Sequence, residues 1–248
     1  SVWMASLCFA QIRTDVPDLF LQANEAYTQQ EFTRAVDLYE EILGLGRESG
    51  PVYYNLGNAY FRAGDVGRAV LNYERALTLI PRDPDLRANY RYARSLAGRT
   101  QGEDDGNVLS RIFTGLFRLQ TFDEICWIMM ILVCVLAAVH LCGLYGGWKD
   151  RHRMSVILLI SAGVLLYAAG LIWKMGYLSG RAVILAQTSA YFEPRDAATV
   201  HFSLYEGDRV RIVDADGPAG WERIRRFDGK IGWIKDGDVE PIITSGRR

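Results

Sequence analysis

Two long apolar runs, at residues 125–145 and 155–178, constrain this chain more than any other feature of its 248 residues. As a helix, the first run measures about 31 Å, which is enough to cross the hydrocarbon core of a bilayer. The sequence on either side of the runs has the mixed composition of ordinary water-soluble protein. The pattern therefore predicts a multidomain membrane protein with two transmembrane helices.

The segment between the runs, residues 146–154, predicts the orientation of the chain. It carries Lys149, Arg151 and Arg153, and short basic loops stay in the cytoplasm. We therefore interpret it as a cytoplasmic loop, with both flanking regions outside the cytoplasm. Two arginines that precede the first run oppose this orientation.

The first ten residues, 1–10, are apolar and end in the letters CFA. A small residue, any residue and then alanine is the pattern of a signal-peptidase site, so we interpret the segment as the remnant of a signal peptide. One alternative is a short first apolar helix. A lipoprotein site at Cys8 is the other, which the bulky Leu7 before it disfavours.

Residues 108–122, which follow a polar linker at 99–107, form an amphipathic pattern. Their apolar side chains recur every three to four residues, and Arg111 and Arg118 lie off that stripe. The pattern predicts an interfacial helix that lies on the membrane surface. The alternative is an extended first turn of the first transmembrane helix.

The region 17–98 has helical periodicity and repeats itself with a period of about 34 residues. The residues that recur at this spacing are Ala35, Tyr39 and Ile42 in the first unit, and Ala69, Tyr73 and Ala76 in the second. The second unit also contains the pattern Tyr53-x-x-Leu56-Gly57-x-x-Tyr60, and Pro81 ends it. The period and the pattern resemble the tetratricopeptide repeat, which implies an all-α solenoid of two repeats and a capping helix.

The first unit departs from this pattern. It has Phe20, Ala23 and Asn24 where we align Tyr53, Leu56 and Gly57 of the second unit. This alignment predicts an inter-helix turn one residue shorter, and looser packing. Two repeats and a cap are also short for a solenoid, because each unit needs a neighbour to bury its face.

The resemblance implies a partner-binding groove, because the first helix of each repeat lines the concave face of such arrays. Asn55 and Asn89 are one repeat period apart and occupy equivalent places on those helices. Asn58 and Arg62 follow Asn55 at helical spacing. Asparagine offers a donor and an acceptor to an extended peptide, so these four residues are the candidate groove; the alternative is a set of solvated polar positions.

The capping helix carries a second candidate site. Arg87, Arg91 and Arg94 form a basic stripe at helical spacing. Such a stripe fits an acidic partner or lipid phosphates, and the alternative is a plain solvated face.

From Ala182 the periodicity changes to that of β-strands, and residues 182–243 contain several Asp-Gly or Glu-Gly turns. The pattern predicts a small all-β barrel. It resembles the bacterial SH3-like family through Glu206-Gly207, Gly220-Trp221 and the run DGKIGWI. Candidate ligand-contacting aromatic residues are Tyr191, Trp221 and Trp233, with packing in the barrel core as the alternative.

The sequence offers no constellation for catalysis, a metal or a cofactor. Its histidines, His140, His152 and His201, fall in three different regions, so we predict no enzymatic activity. The net charge of −1 gives no argument for nucleic acid. Within the second apolar run, we expect Lys174 to extend towards the membrane boundary.

In this order, tetratricopeptide repeats, two spans and an SH3-like barrel resemble the BatE-type proteins of bacterial aerotolerance operons. The resemblance implies a non-enzymatic protein of the bacterial inner membrane. Together with the basic loop, it predicts that the repeats and the barrel lie on the periplasmic side. Protein partners are implied among the membrane proteins with von Willebrand A domains encoded in the same operon. The alternative function is a cell-envelope anchor that binds peptidoglycan through the barrel.

Overall fold

The computed structural model of the chain describes residues 16–97, 108–145, 150–214 and 217–243. The predicted signal remnant, the linker and the first residues of the predicted cytoplasmic loop lie outside these described ranges. The chain forms two compact units. The first combines the sequence up to residue 100 with the sequence from residue 182 onwards, and the second comprises residues 101–181.

The described N-terminal part of the first unit, residues 16–97, is helical. Its helices are α1 (Val16–Thr28), α2 (Phe32–Gly44), α3 (Gly50–Ala63), α4 (Val66–Leu79) and α5 (Pro84–Leu96). Side chains at three N-termini accept backbone hydrogen bonds: Ser49 caps α3, Asp65 caps α4 and Asp83 caps α5. Such caps satisfy N–H groups that the first turn of a helix leaves unpaired, so the sequence marks these starts locally.

The two repeats are in register, with a constant repeat period. Tyr39 contacts Asn24 as Tyr73 contacts Asn58, and each pair is 15 residues apart. Gln30 adopts φ +65°, at the point where the second repeat has a glycine with positive φ. The predicted shorter turn in the first repeat is therefore wrong, because glutamine there adopts the left-handed conformation that glycine adopts more easily.

The C-terminal part of the first unit is an antiparallel sheet of seven strands. They are β1 (Arg181–Ile184), β2 (Thr188–Tyr191), β3 (Val200–Leu204), β4 (Arg209–Asp214), β5 (Trp221–Arg226), β6 (Ile231–Lys235) and β7 (Val239–Pro241). Their order is β3-β2-β6-β5-β4-β1-β7, so β3 and β7 are the edges. Fully buried side chains on one face form its core; they are Ile184, Leu204, Ile224 and Ile234.

The repeats and the sheet share buried residues. Val183 and Ile242 of the sheet belong to the hydrophobic core of the repeats, and Leu185 packs against it. As a result α4 is buried even at the polar residues Asn72 and Glu74. The sheet thus supplies the neighbour that a short array of two repeats lacks.

The second unit consists of α6 (Val108–Arg118), α7 (Phe122–Tyr145) and α8 (Asp150–Leu178). Within α7 and α8, residues Phe122–Gly143 and Met154–Leu178 are long and apolar enough to cross a membrane. Thr121 and Glu124 start α7 as a reciprocal capping box, with hydrogen bonds of 2.8 and 3.2 Å. The structure therefore contains two apolar helices at the predicted places.

Lys174 of α8 is buried within the second unit, with 5% of its surface exposed. Its ammonium group donates to the carbonyl oxygens of Phe117 and Gln120, at the C-terminal end of α6. A cation at this end of a helix satisfies carbonyl groups that have no intrahelical partner. Lys174 thus joins α8 to the C-terminal end of α6, and its extension towards the membrane boundary stays a prediction.

Candidate functional site

The first helices of the repeats are joined by two identical hydrogen-bond chains. They are Tyr39–Asn24–Asn55 and Tyr73–Asn58–Asn89. In each chain the tyrosine hydroxyl donates to the side-chain oxygen of the middle residue, Asn24 or Asn58, at 2.6 and 2.7 Å. The amide nitrogen of the last residue, Asn55 or Asn89, donates to that same oxygen, at 3.0 Å in both chains. The structure thus brings Asn55, Asn58 and Asn89 together on the face formed by α1, α3 and α5.

The buried ends of these chains hold the asparagines in one orientation. Tyr39 and Tyr73 are each 1% exposed. Burial raises the pKa of Tyr39 to about 12 and raises the pKa of Tyr73 further above its ordinary value. Both hydroxyls therefore stay protonated at neutral pH and remain donors.

This orientation decides which groups face solvent. Asn89 uses its amide nitrogen for both Asn58 and the hydroxyl of Tyr54, which leaves its carbonyl oxygen as an acceptor. Asn55 likewise directs its amide nitrogen to Asn24. Because Asn24 and Asn58 use their oxygens internally, their amide nitrogens remain as donors. The half-buried asparagines thus present donors and acceptors side by side.

Arg62 lies one helical turn after Asn58, in the last turn of α3. Its guanidinium lies over the ring of Phe32, 4.6 Å from the centroid, and Phe32 also contacts Tyr27 at 5.5 Å. The side chain is exposed, and no carboxylate of the described residues forms an ion pair with it. The ring thus supports a cation that is free to meet a ligand.

The basic stripe is separate from the asparagine face. Arg94 lies over the ring of Tyr90 at 5.6 Å, and Tyr90 donates to Glu74 of α4. Arg91 donates to the carbonyl oxygen of Arg87 at 3.2 Å. The stripe therefore follows another side of α5, and the structure does not join it to the predicted groove residues.

The three predicted aromatic residues lie together on the sheet. The rings of Tyr191 and Trp221 meet edge to face at 5.7 Å, and Tyr191 pairs with Trp233 across β2 and β6. All three are half-buried and lie outside the buried core of the sheet. Trp221 also lines a cleft of about 520 Å³, together with Glu222 and Asp236.

The sequence interpretation missed Asn24, Tyr39 and Tyr73 as parts of the asparagine face. The signal was present, since Asn24 precedes Asn58 by one repeat period, just as Tyr39 precedes Tyr73. The alignment that shortened the first turn matched Asn24 with Gly57 and so concealed it. Correct register would have revealed both hydrogen-bond chains.

The described residues contain no group of three or more histidine, cysteine, aspartate or glutamate side chains that could hold a metal ion. Cys126, Cys134 and Cys142 are free thiols along α7. What the asparagine face offers is hydrogen bonding by its asparagines and the exposed cation of Arg62, which are the means of recognition.

Comparison with known families agrees with the helical part of the first unit. Residues 20–85 match the model of the tetratricopeptide repeat. The match runs from α1 through both repeats into the start of α5, so this region is a tetratricopeptide-repeat region. A search of curated proteins found no match to the chain.

Proposed function

We propose that the chain is a non-enzymatic, membrane-anchored protein that captures a protein partner on the asparagine face of its repeats. The observation that carries the proposal is the pair of identical Tyr–Asn–Asn chains, each anchored by a buried hydroxyl. An extended peptide carries backbone donors and acceptors, and the asparagines display both kinds of group. Tetratricopeptide repeats are typical of protein-binding surfaces of this kind.

The two apolar helices are the membrane anchor in this proposal. The repeats and the sheet are in direct contact, because Gly67 donates to Glu206. This contact supports a shared compartment for the two parts, although the apolar helices lie between them in the sequence. If both apolar helices cross the membrane, the chain returns to the side from which it started, so the repeats and the sheet lie on the same side.

More specifically, we propose that the chain is a periplasmic assembly protein of the bacterial inner membrane. The sheet is an SH3-like domain, the orientation follows the basic loop, and the order of parts supports a BatE-type member of a Bat-type aerotolerance complex. The proposed partners are von Willebrand A-domain membrane proteins of the same operon.

The groove is tested with the full-length protein in detergent, because the repeats pack against the sheet. The protein is used to capture partners from solubilised membranes, which are then identified by mass spectrometry. We expect Asn55→Ala combined with Asn89→Ala to abolish capture. Equal capture by this double variant would contradict the proposal.

A second double variant is the matched control for the groove. Gln22→Ala combined with Gln29→Ala also removes two side-chain amides from the repeats. Both glutamines are exposed, and their amides bind Asp18 and Glu25 at 2.8 and 3.0 Å, outside both Tyr–Asn–Asn chains. We expect this variant to capture partners as the wild type does.

The location is tested with topology reporters. One reporter is fused after Gly246 and another before the repeats, and each is active only outside the cytoplasm. We expect activity from both. Activity from only one would contradict a shared compartment, and activity from neither would place both parts in the cytoplasm.

A second candidate function is binding of peptidoglycan by the sheet. The half-buried cluster of Tyr191, Trp221 and Trp233 favours it, because aromatic faces beside a polar cleft suit carbohydrate. Co-sedimentation of the full-length protein with purified sacculi tests this function. We expect Trp221→Ala to reduce sedimentation, and the absence of sedimentation by the wild type would exclude it.

A further inference from the structure

The asparagine face has an uneven distribution of charge. Arg62 lies in the last turn of α3, whereas Asp83 and Asp85 lie at the start of α5. These acids are near the hydroxyl of Tyr54: burial raises its pKa, and both carboxylates add to the effect. One end of the face is therefore acidic, and the other end carries the exposed cation of Arg62.

On the capping helix α5, the positions equivalent to Asn58 and Arg62 carry large, partly or wholly apolar side chains. One repeat period further along the chain, Tyr92 takes on α5 the place of Asn58, and Leu96 takes the place of Arg62. Tyr92 is 58% exposed and Leu96 is 55% exposed. The ring of Tyr92 contacts Phe61 of α3 at 5.6 Å. Two exposed large side chains, Tyr92 and Leu96, thus hold the places of Asn58 and Arg62 one helix further along the array.

From this arrangement we propose that the asparagine face selects an extended peptide segment that carries an acidic side chain and, close to it, a large apolar side chain. The acid binds the guanidinium of Arg62, and the apolar side chain packs on Tyr92 and Leu96. This proposal rests on the proposed function, because it names the partner chemistry of the same face.

The guanidinium is prepared for a carboxylate. Phe32 supports it at 4.6 Å, and a planar guanidinium with free N–H groups binds carboxylates through charge-assisted hydrogen bonds. Because the ring already limits the rotamers of Arg62, less conformational freedom is lost on binding.

The distance between helices sets the spacing within the peptide. Neighbouring helices pack about 10 Å apart, and an extended peptide advances about 3.3 Å per residue. We therefore expect the acidic and apolar side chains to lie two or three positions apart. A peptide with a basic residue in place of the acid is rejected by Arg62.

The probe is an immobilised array of nine-residue peptides with a glycine, serine and alanine background. Each contains one Asp or Glu and one Phe or Leu, at a separation of one to six positions; matched peptides carry Asn, Gln or Lys at the acidic position. Full-length protein in detergent is bound to the array, and the best peptides are measured by fluorescence anisotropy.

We expect the acidic peptides with a separation of two or three to bind about tenfold more tightly than their amide counterparts. Arg62→Gln removes that preference, and Tyr92→Ser combined with Leu96→Ser removes the preference for the apolar residue. Arg47→Gln is the matched control, because it deletes an exposed arginine of the segment between α2 and α3, outside every candidate site. Circular dichroism verifies that each variant is folded.

Equal binding of acidic and amide peptides to the wild type would overturn this proposal and leave the proposed function intact. Equal loss of the preference in Arg62→Gln and Arg47→Gln would overturn it as well, since the effect would then reflect net charge. Binding of no peptide at all would contradict the proposed function itself.

Discussion

The backbone N–H of Gly67 donates a hydrogen bond of 2.7 Å to the carboxylate of Glu206, although 139 positions separate the two residues. Gly67 is the second residue of α4, and a carboxylate is favourable at the N-terminus of a helix. The turn that carries Glu206 continues with Gly207, where an added Cβ would lie 3.4 Å from Val70 and 3.1 Å from Ala97. The turn between β3 and β4 thus contacts the first turn of α4.

We expect Gly67→Ala to lower the free energy of unfolding of the first unit by about 1–3 kcal/mol, because overpacking forces the backbone to shift. A Cβ at Gly67 would lie 2.4 Å from the carbonyl oxygen of Leu185, which belongs to the backbone of the sheet. Thermal unfolding of the full-length protein in detergent, followed by circular dichroism, measures the change.

Gly44→Ala is the matched control for this substitution. Gly44 ends α2, and no atom lies within 4 Å of a Cβ built there. We expect this variant to be as stable as the wild type or slightly more stable. An equal loss of stability in Gly67→Ala and Gly44→Ala would contradict the prediction, because the loss could then not be assigned to the contact between α4 and the sheet.

Arg75 gives a second prediction at the same contact. Its guanidinium binds the carboxylate of Glu240 at 2.7 Å and the carbonyl oxygens of Pro241 and Ile242 at 3.0 and 3.2 Å. These carbonyls belong to the edge of the sheet at β7, so Arg75 occupies acceptors that an edge strand leaves open. Arg75→Ala is expected to cost about 2–3 kcal/mol.

Arg68→Ala is the control for Arg75→Ala, because it removes another arginine of α4, one that pairs with a neighbouring residue of the repeats instead of the sheet. Arg68 pairs with Asp65 at 2.8 Å, but its side chain is 48% exposed, so we expect a cost below about 1 kcal/mol. Urea denaturation of both variants gives the comparison. Similar costs for the two substitutions would mean that the β7 contacts contribute no more than a surface ion pair.

The repeats were predictable from the sequence because their signals are local. Capping residues such as Asp65 and Asp83 mark helix starts, and the repeat period placed Asn55 and Asn89 on equivalent helices. The register of the first repeat was misjudged because Gln30 takes a backbone conformation that the sequence signals only with glycine. That error concealed Asn24.

The contact between repeats and sheet was not predictable from local patterns. Glu74 has the polarity of a surface residue, yet it is 5% exposed and forms an ion pair of 3.6 Å with Arg209 of β4. Such ion pairs join residues that are distant in the sequence, and the periodicity of either segment does not predict them. The partners of Lys174 were not predictable for the same reason, since Phe117 belongs to another helix.

Asn72 is a site where stability can be gained. It is 3% exposed, and its carbonyl oxygen has no hydrogen-bond partner in the described part of the chain. Leu38 holds the equivalent place one repeat period earlier, where it packs against the core. We expect Asn72→Leu to raise the free energy of unfolding by about 1 kcal/mol, because it removes a buried unpaired acceptor.

Urea denaturation again gives the measurement for Asn72→Leu. Asn72→Asp is the informative counterpart, since it buries a charge at the same position and is expected to lower stability. A loss of stability in Asn72→Leu would mean that the hydrogen bond of 2.9 Å from Asn72 to the carbonyl of Arg68 outweighs the unpaired oxygen.

The buried end of the first hydrogen-bond chain predicts sensitivity to alkaline pH. Burial raises the pKa of Tyr39 from 10.0 to about 12, so the folded state favours the protonated hydroxyl that donates to Asn24. The contribution of this group is therefore complete below pH 10 and declines as the pH rises towards 12.

Tyr39→Phe tests this prediction because it removes the group that ionises. We expect its stability to fall less steeply than that of the wild type over that pH range, from a value about 1 kcal/mol lower near neutral pH because the hydrogen bond is lost. Phe20→Leu is the control, since Phe20 contacts the Tyr39 ring at 5.9 Å but carries no ionisable group; its deficit should be the same at every pH. Urea denaturation at a series of pH values decides the matter, and parallel pH profiles for wild type and Tyr39→Phe would contradict the prediction.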